Sequence, residues 1–380
     1  MATPSLYDIL STPYGGRGAF AREAIPQGTM ILACAAPYAH VVYWEFRREV
    51  CAWCFAYSFE SGKSKWAVKL AGSEHVGGNG GVWFCTDVCR ADYIREHEKM
   101  LAGNSKRTTA GLAVPPAGLV YLETIVPTDI TPEYLDVAWA AARDVSDQRR
   151  GWTEEMTEFE VDTARFVLDG LLRKIIEEAN PGAEMLDRLV DDTPGYCVGA
   201  GRWADYMELQ DNEYALMYTN PHMLASHIRV YRFLRHITTM LPQVRSKLNE
   251  KSVHVIEQLR KNLATPTDTR ALLGRDSGNV FGLWDTATDE GSEMLGWGAF
   301  VFGSYFNHHC EPNLKKKRNK RGVEFYASKD IAPGEELCIS YADGVSVEER
   351  MQQLESGWFF VCRCTRCARD LERASGTPSI

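Results

Sequence analysis

The spacing of apolar positions changes character twice along the chain. Residues 14 to 50 open on a glycine turn, YGGRGAF, and run through GTMILACAAPYAHVVYW, where β-branched and aromatic residues predict strands. From about 105 to 270 the period becomes helical. Thr131, Pro132 and Glu133 read as an N-cap with proline at the first helical position, and Asn180, Pro181 and Gly182 as the stop after ARFVLDGLLRKIIEEA (Ala164 to Ala179). Leu224, Ile228, Tyr231 and Leu234 form one apolar stripe, and Val255, Ile256, Leu259 and Leu263 another, both expected to face a core. After Asp276 the period returns toward two. Val323, Phe325 and Ala327 alternate with other residues, the turn APGEE follows, and LCISY makes a second strand. A helix, VEERMQQLES, and a cysteine cluster, CRCTRC, close the pattern.

Between the first strands and the helices lies a segment from Cys51 to about Leu101 that fits neither period. Its loop GSEHVGGNGG supports no packed element, so an inserted metal module is the reading. The organisation expected is therefore N-terminal strands at 1–50, the module at 51–101, a helical insert at 102–275, a second β-rich part at 276–345 and a tail at 346–380. The fold class is α+β, a β-rich core split by a small zinc module and a helical insert.

Composition narrows the chemistry. Hydrophobic content of 45% and charged content of 24% are those of a globular protein. The longest apolar-looking stretch, Gly296 to Tyr305, is far short of the ~20 residues a membrane span needs. MATPSLYDIL has neither a basic n-region nor an apolar h-region, so a cytoplasmic or nuclear location is expected. In a reducing compartment eleven cysteines, most in short spaced pairs, point to metal ligation rather than disulfides. The net charge of −9 opposes phosphate contacts and suits a basic protein substrate.

Cys362, Cys364 and Cys367 fill a tetrahedral zinc site only with a fourth ligand from elsewhere, and Cys310 is the candidate. Cys51 with Cys54 and Cys85 with Cys89 make a second four-cysteine site. His97 reads as an ordinary helix-face histidine, and Cys34, Cys197 and Cys338, which lack ligand spacing, as core residues. The basic run KKKRNKR (Lys315 to Arg321) has two readings, a nuclear-localisation signal or acidic-surface contact, and an exposed hairpin loop.

GSYFNHHCEPN (Gly303 to Asn313), GEELCISY (Gly334 to Tyr341) and CRCTRC, in this order, resemble the SET methyltransferase signature NHSCxPN, GEExxxxY and post-SET CxCxxC. GGRG near the start belongs to the same pattern. A zinc module between the first strands and a helical insert looks like the SET-and-MYND (SMYD) arrangement. RDSGNVFGLWD and the short insert look most similar to the fungal branch called SET domain protein six. The chain departs in two places: the module lacks the cysteines of a second zinc, and His309 stands where the family has serine.

The resemblance implies an enzyme that transfers a methyl group from S-adenosylmethionine to a lysine amine. It implies Tyr341 as the catalytic residue, with Phe360 as a second wall of the lysine channel, and both as cofactor-binding residues. Asn307 and His308 fall on the cofactor-binding pair, Arg17 and Gly18 on the turn that approaches the cofactor, and Asn279 and Asn212 on further cofactor positions. A monomer acting on a protein substrate, histone or non-histone, is expected. Two rivals are a scaffold that keeps the fold without turnover, and a zinc-dependent nucleic-acid binder, which the acidic charge disfavours.

Overall fold

The computed structural model describes residues 6–70, 81–99, 130–143, 155–179, 196–240, 250–285, 293–342, 344 and 346–374, and of 97–99, 196, 197, 240 and 250–252 the backbone alone. The glycine loop at 72–81, apart from Gly81, and the stop signal at 180–182 lie outside these residues, as do the side chains of His97 and Cys197.

The chain opens with an antiparallel hairpin of β1 (Tyr7–Ser11) and β2 (Arg17–Ala21), followed by the fully buried β3 (Met30–Cys34) and the short β4 (His40–Val42). A small unit then carries β5 (Val68–Lys69), β6 (Trp83–Phe84) and α1 (Asp87–Lys99). The insert comprises α2 (Pro132–Arg143), α3 (Glu158–Ala179), β7 (Tyr196–Val198), α4 (Trp203–Met207), α5 (Glu213–Thr219), α6 (His222–Met240), α7 (Glu250–Asn262) and α8 (Thr267–Asp276). Strands β8 (Phe281–Trp284), β9 (Met294–Gly298), β10 (Asn307–His308), β11 (Leu314–Asn319), β12 (Gly322–Ala327) and β13 (Glu336–Ile339) follow, then α9 (Val347–Trp358) and α10 (Thr365–Ala374).

Strands from the two ends of the chain interleave. The sheet orders are β1-β2-β13-β10, β11-β12-β3-β7 and β4-β9-β8, so each contains strands from before and after the module and insert. The α+β class, with a β-rich core interrupted twice, is what the structure shows. Alternation in β12 works as the sequence implies: Val323, Phe325 and Ala327 are buried, and Phe325 packs on Phe306 with ring centroids 4.8 Å apart.

Local chemistry sets the helix ends. Thr131 caps α2, its hydroxyl accepting from the Tyr134 N–H at 3.2 Å. Helix α3 begins six residues before Ala164 because Thr157 and Glu160 close a reciprocal capping box, at 3.2 and 2.9 Å. In α6, Leu224, Tyr231 and Leu234 are buried as their spacing implies. Trp297 of β9 joins this helical core to the sheets, lying 5.8 Å from Phe159, 5.9 Å from Phe166 and 5.5 Å from Tyr43.

Two elements escaped the pattern. β7 sits inside the helical stretch and adds to β3 in parallel, because three residues are too few for periodicity to register. The tail carries α10, in which Cys367 is itself helical.

The basic run lies on the β11–β12 hairpin, most of it as strand β11 rather than as a loop. Its arginines face inward. Arg321 stacks over the Trp53 ring at 3.9 Å and pairs with Glu96 of α1 at 2.5 Å, while Glu96 lies 3.6 Å from Arg173 of α3. Arg318 donates to the Trp284 carbonyl at 2.7 Å and lies 3.8 Å from Glu60. The run thus fixes the small cysteine-bearing unit to the sheets, with Lys315 and Lys317 left exposed.

Candidate active site and thiolate centres

The site begins with a strand pairing. β10 lies parallel to β13, Asn307 opposite Cys338 and His308 opposite Ile339, so two motifs roughly thirty residues apart share one edge. Asn313, 4% exposed, secures the pairing. Its amide nitrogen donates to Glu335 Oε1 at 3.0 Å and to the Glu336 carbonyl at 2.8 Å, and its oxygen accepts from the Cys338 N–H at 2.8 Å. The loop of residues 309–312 returns the chain for this clasp. Here the His309 ring accepts from the Glu311 N–H at 2.9 Å, a local role that a serine hydroxyl is also able to fill.

Asn307 donates through Nδ2 to the Arg17 carbonyl at 3.0 Å and to Glu336 Oε1 at 2.8 Å. That fixes the amide orientation and leaves Oδ1 as the end presented to a ligand. Gly18 is tight against the same group: a Cβ there would lie 2.4 Å from Glu336 Oε1 and 2.7 Å from Asn307 Nδ2. Only glycine lets the β2 backbone approach this closely. The Arg17 side chain reaches across to Glu208 at the end of α4, pairing at 3.0 Å, and lies 5.3 Å above the Tyr305 ring.

Tyr341 follows β13. Its phenol donates to the Phe306 carbonyl at 2.8 Å, and burial, then the Cys338 and Glu336 charges, push its pKa well above the usual range. It therefore stays a neutral phenol at physiological pH. Its backbone N–H donates to His308 Nδ1 at 3.0 Å. Burial first, then neighbouring His309 and Arg350, hold the His308 pKa down to about 4. A neutral imidazole accepting at Nδ1 carries its proton at Nε2, which faces Cys310 Sγ at 3.1 Å. His308 thus bridges the tyrosine backbone and a thiol.

Aromatic rings gather here. Trp358 lies 5.3 Å from Tyr341 at 30°, and His308 lies 5.4 Å from Tyr341 and 6.2 Å from Phe360. The sequence reading named Tyr341 and Phe360 as walls and missed Trp358. Its signal was the helical spacing of VEERMQQLES, which extends to Trp358 at the end of α9.

Asn279 and Asn212 lie on the insert side. Asn279 is 8% exposed, and its amide donates to the Gln210 and Arg275 carbonyls, both at 2.9 Å. Asn212 donates to the Ser277 carbonyl at 2.7 Å. Gly278 sits between them at φ +86°, where a Cβ would lie 2.7 Å from Asn212 Nδ2 and 3.8 Å from Trp358. Both asparagines fasten the end of α8 to the α4–α5 connection.

The cysteines fall into two clusters, Cys51, Cys54, Cys85 and Cys89, and Cys310, Cys362, Cys364 and Cys367, each with its sulfurs within 4.8 Å of one another. A tetrahedral zinc with bonds of about 2.3 Å separates its sulfurs by about 3.8 Å. The distances fit: 3.5 Å for Cys54–Cys85, 3.4 Å for Cys85–Cys89, 3.9 Å for Cys310–Cys362 and 3.4 Å for Cys310–Cys367. Burial and the neighbouring Cys367 push the Cys310 thiol up to about 12, an environment that a divalent cation inverts by holding the sulfurs as thiolates. Two structural zinc sites are supported, with the pairings that the spacing implied. Cys34 and Cys338 are buried and belong to neither set.

Comparisons with known proteins agree with this geometry. The family described as "SET domain" matches residues 16–342. The chain is similar to the Saccharomyces cerevisiae protein named "Potential protein lysine methyltransferase SET6", at 25% identity over 96% of each chain. It is also similar to a SET and MYND domain-containing protein of Dictyostelium discoideum, at 26% identity over 57% of this chain and 41% of that one. A third relative is the human "Protein-lysine N-trimethyltransferase SMYD5", at 35% identity over 24% of each chain.

Proposed function

The chain belongs to the SET domain family, and on that premise we propose that it is an S-adenosylmethionine-dependent protein-lysine N-methyltransferase. The observation that supports this most is the meeting of Asn307, His308 and Tyr341 along the β10–β13 pairing, with Gly18 letting β2 pack tightly on the Asn307 amide. When bound, S-adenosylmethionine supplies a sulfonium-borne methyl group. The residues present suit it: the Nδ2 bonds of Asn307 to Arg17 and Glu336 turn its Oδ1 outward as an acceptor for the ammonium.

The protein's task is to present a lysine amine with a free lone pair. Lysine's reference pKa is about 10.4, so in water the amine is almost wholly protonated. Tyr341, Trp358, Phe360 and His308 offer rings and a neutral imidazole instead of water, which favours the uncharged amine. The Tyr341 phenol, tied to Phe306, gives the amine a fixed polar neighbour and orients its approach. His308 holds the tyrosine backbone from behind.

The substrate is a protein presenting a lysine, histone or non-histone, met in the cytoplasm or the nucleus by a monomeric enzyme. No helix among the described residues is long and apolar enough to cross a membrane. The test is calorimetric titration of S-adenosylmethionine into zinc-loaded protein and into Asn307→Ala, followed by labelled-methyl incorporation into protein extracts. Saturable binding weakened at least about tenfold by the substitution is expected, a loss on the scale of one charge-assisted hydrogen bond. A folded, zinc-replete sample that binds no cofactor overturns the reading.

A further inference from the structure

A zinc ion held by four thiolates is formally dianionic, and burying such charge without compensation is costly. At the C-terminal centre Cys310, Cys362 and Cys367 are 6%, 4% and 0% exposed. Among the described residues, one cationic side chain is buried beside them. Arg350 of α9 is 1% exposed, and its Nη2 lies 3.9 Å from Cys367 Sγ and 2.7 Å from Asp370 Oδ2. Two neighbouring guanidiniums of the tail are more exposed and reach other groups as well: Arg366 donates to the Cys310 carbonyl at 3.1 Å and lies 3.7 Å from Asp370, and Arg369 donates to Glu311 at 2.6 Å.

Helix geometry gives Arg350 a second role. Ser346 and Glu349 close a capping box that starts α9, at 3.1 and 3.0 Å. Arg350, Leu354 and Trp358 then follow at intervals of four, so they share one face. Leu354 is fully buried, and Trp358 rests on Tyr341. The face that meets the thiolates at one end meets the aromatic channel at the other.

We propose that Arg350 is a positioning residue of the C-terminal zinc centre: its guanidinium balances the charge of the thiolates and, by holding α9 against them, sets Trp358 beside Tyr341. Asp370 anchors the guanidinium from the opposite side, in a charge-assisted pair. The role in the channel rests on the methyltransferase reading. The role at the metal does not.

The test is zinc release from the holoprotein to a colorimetric chelator, with Arg350→Lys, Arg350→Gln and Arg350→Met compared. The step belonging to the C-terminal centre is identified by its disappearance in Cys362→Ser. Arg350→Gln and Arg350→Met are expected to weaken zinc at this centre about 10–100-fold, the range for partners of metal ligands, while leaving the N-terminal centre unchanged. Arg350→Lys, which keeps the charge, should stay within about threefold of the parent protein, and its cobalt-substituted form should keep the parent's thiolate-to-metal absorption. If Arg350→Met does not fold, the glutamine and lysine variants decide. Zinc held equally well by Arg350→Gln, or lost equally from Arg350→Lys, overturns the charge-balancing role. No methyl transfer is needed for this readout, so its failure is distinct from failure of the enzymatic reading.

Discussion

The two four-cysteine centres share a donor set and differ in what lies against it. The N-terminal one packs within its own small cluster, with Trp66, Trp83 and Phe84 buried around Cys51 and Cys54. The C-terminal one reaches outward: Cys310 faces His308, Cys367 faces Arg350, and Cys362, Cys364 and Cys367 pack with Trp358, Phe360 and Tyr341. Identical ligand chemistry therefore serves two purposes. One centre holds a module together, and the other fastens the tail whose Phe360 joins the aromatic cluster around Tyr341.

The largest effect should separate them. Cys310→Ala is expected to release one of two zincs and reduce methyl transfer to background, whereas Cys54→Ala releases the other and leaves most of the transfer. Metal content and labelled-methyl incorporation measured side by side would break the contrast if the two variants behaved alike. Next, Tyr341→Phe should lower kcat by about 10²–10³-fold, the scale of one positioned hydroxyl in a water-excluded site. Both zincs and cofactor affinity should be retained. Stability should fall by about 1 kcal/mol, because the Phe306 carbonyl loses its donor.

Acid sensitivity offers a reference that depends on neither centre. His227 of α6 is 3% exposed, and burial lowers its pKa from 6.5 to about 4. The unfolded chain binds this proton more readily, so the stability contribution is complete above pH 6.5 and is lost as pH falls toward 4, amounting to about 3 kcal/mol across that window. His227→Phe should flatten the acid limb of the unfolding profile between those values, and an unchanged limb would remove His227 from it. The smallest effect belongs to the mount of the N-terminal module. Arg321→Ala should cost about 1–2 kcal/mol through the Trp53 and Glu96 contacts and make only the N-terminal zinc easier to chelate. Equal sensitisation of both centres would show that the two communicate.

Legibility in the sequence followed the range of each interaction. The cysteine pairs were readable because ligand spacing is a local constraint, and Cys310 was readable because three thiols need a fourth. The Thr131 cap and the alternation in β12 were equally local. The start of α3 was present as Thr157 and Glu160 but hidden by the longer apolar run behind it. The basic run left two readings open, and the inward turn of Arg318 and Arg321 toward Glu60 and Glu96 was a matter of which module lay opposite.

By itself the sequence determined the α+β class, the two interruptions of the core, both sets of thiolate ligands and the motifs that meet at Tyr341. The first three follow from chemistry written within a few residues, whether periodicity, capping or ligand spacing, and the motifs at Tyr341 from the resemblance to the SET signature. Tertiary structure alone decided that His308 spans from Tyr341 to Cys310, that Asn313 clasps β13, and that Arg350 lies buried beside Cys367. These contacts join residues whose separation along the chain carries no periodic signal. They form only when the interleaved strands close and α9 packs back, because hydrogen bonds and charge balance act over a few ångströms of space rather than along the sequence.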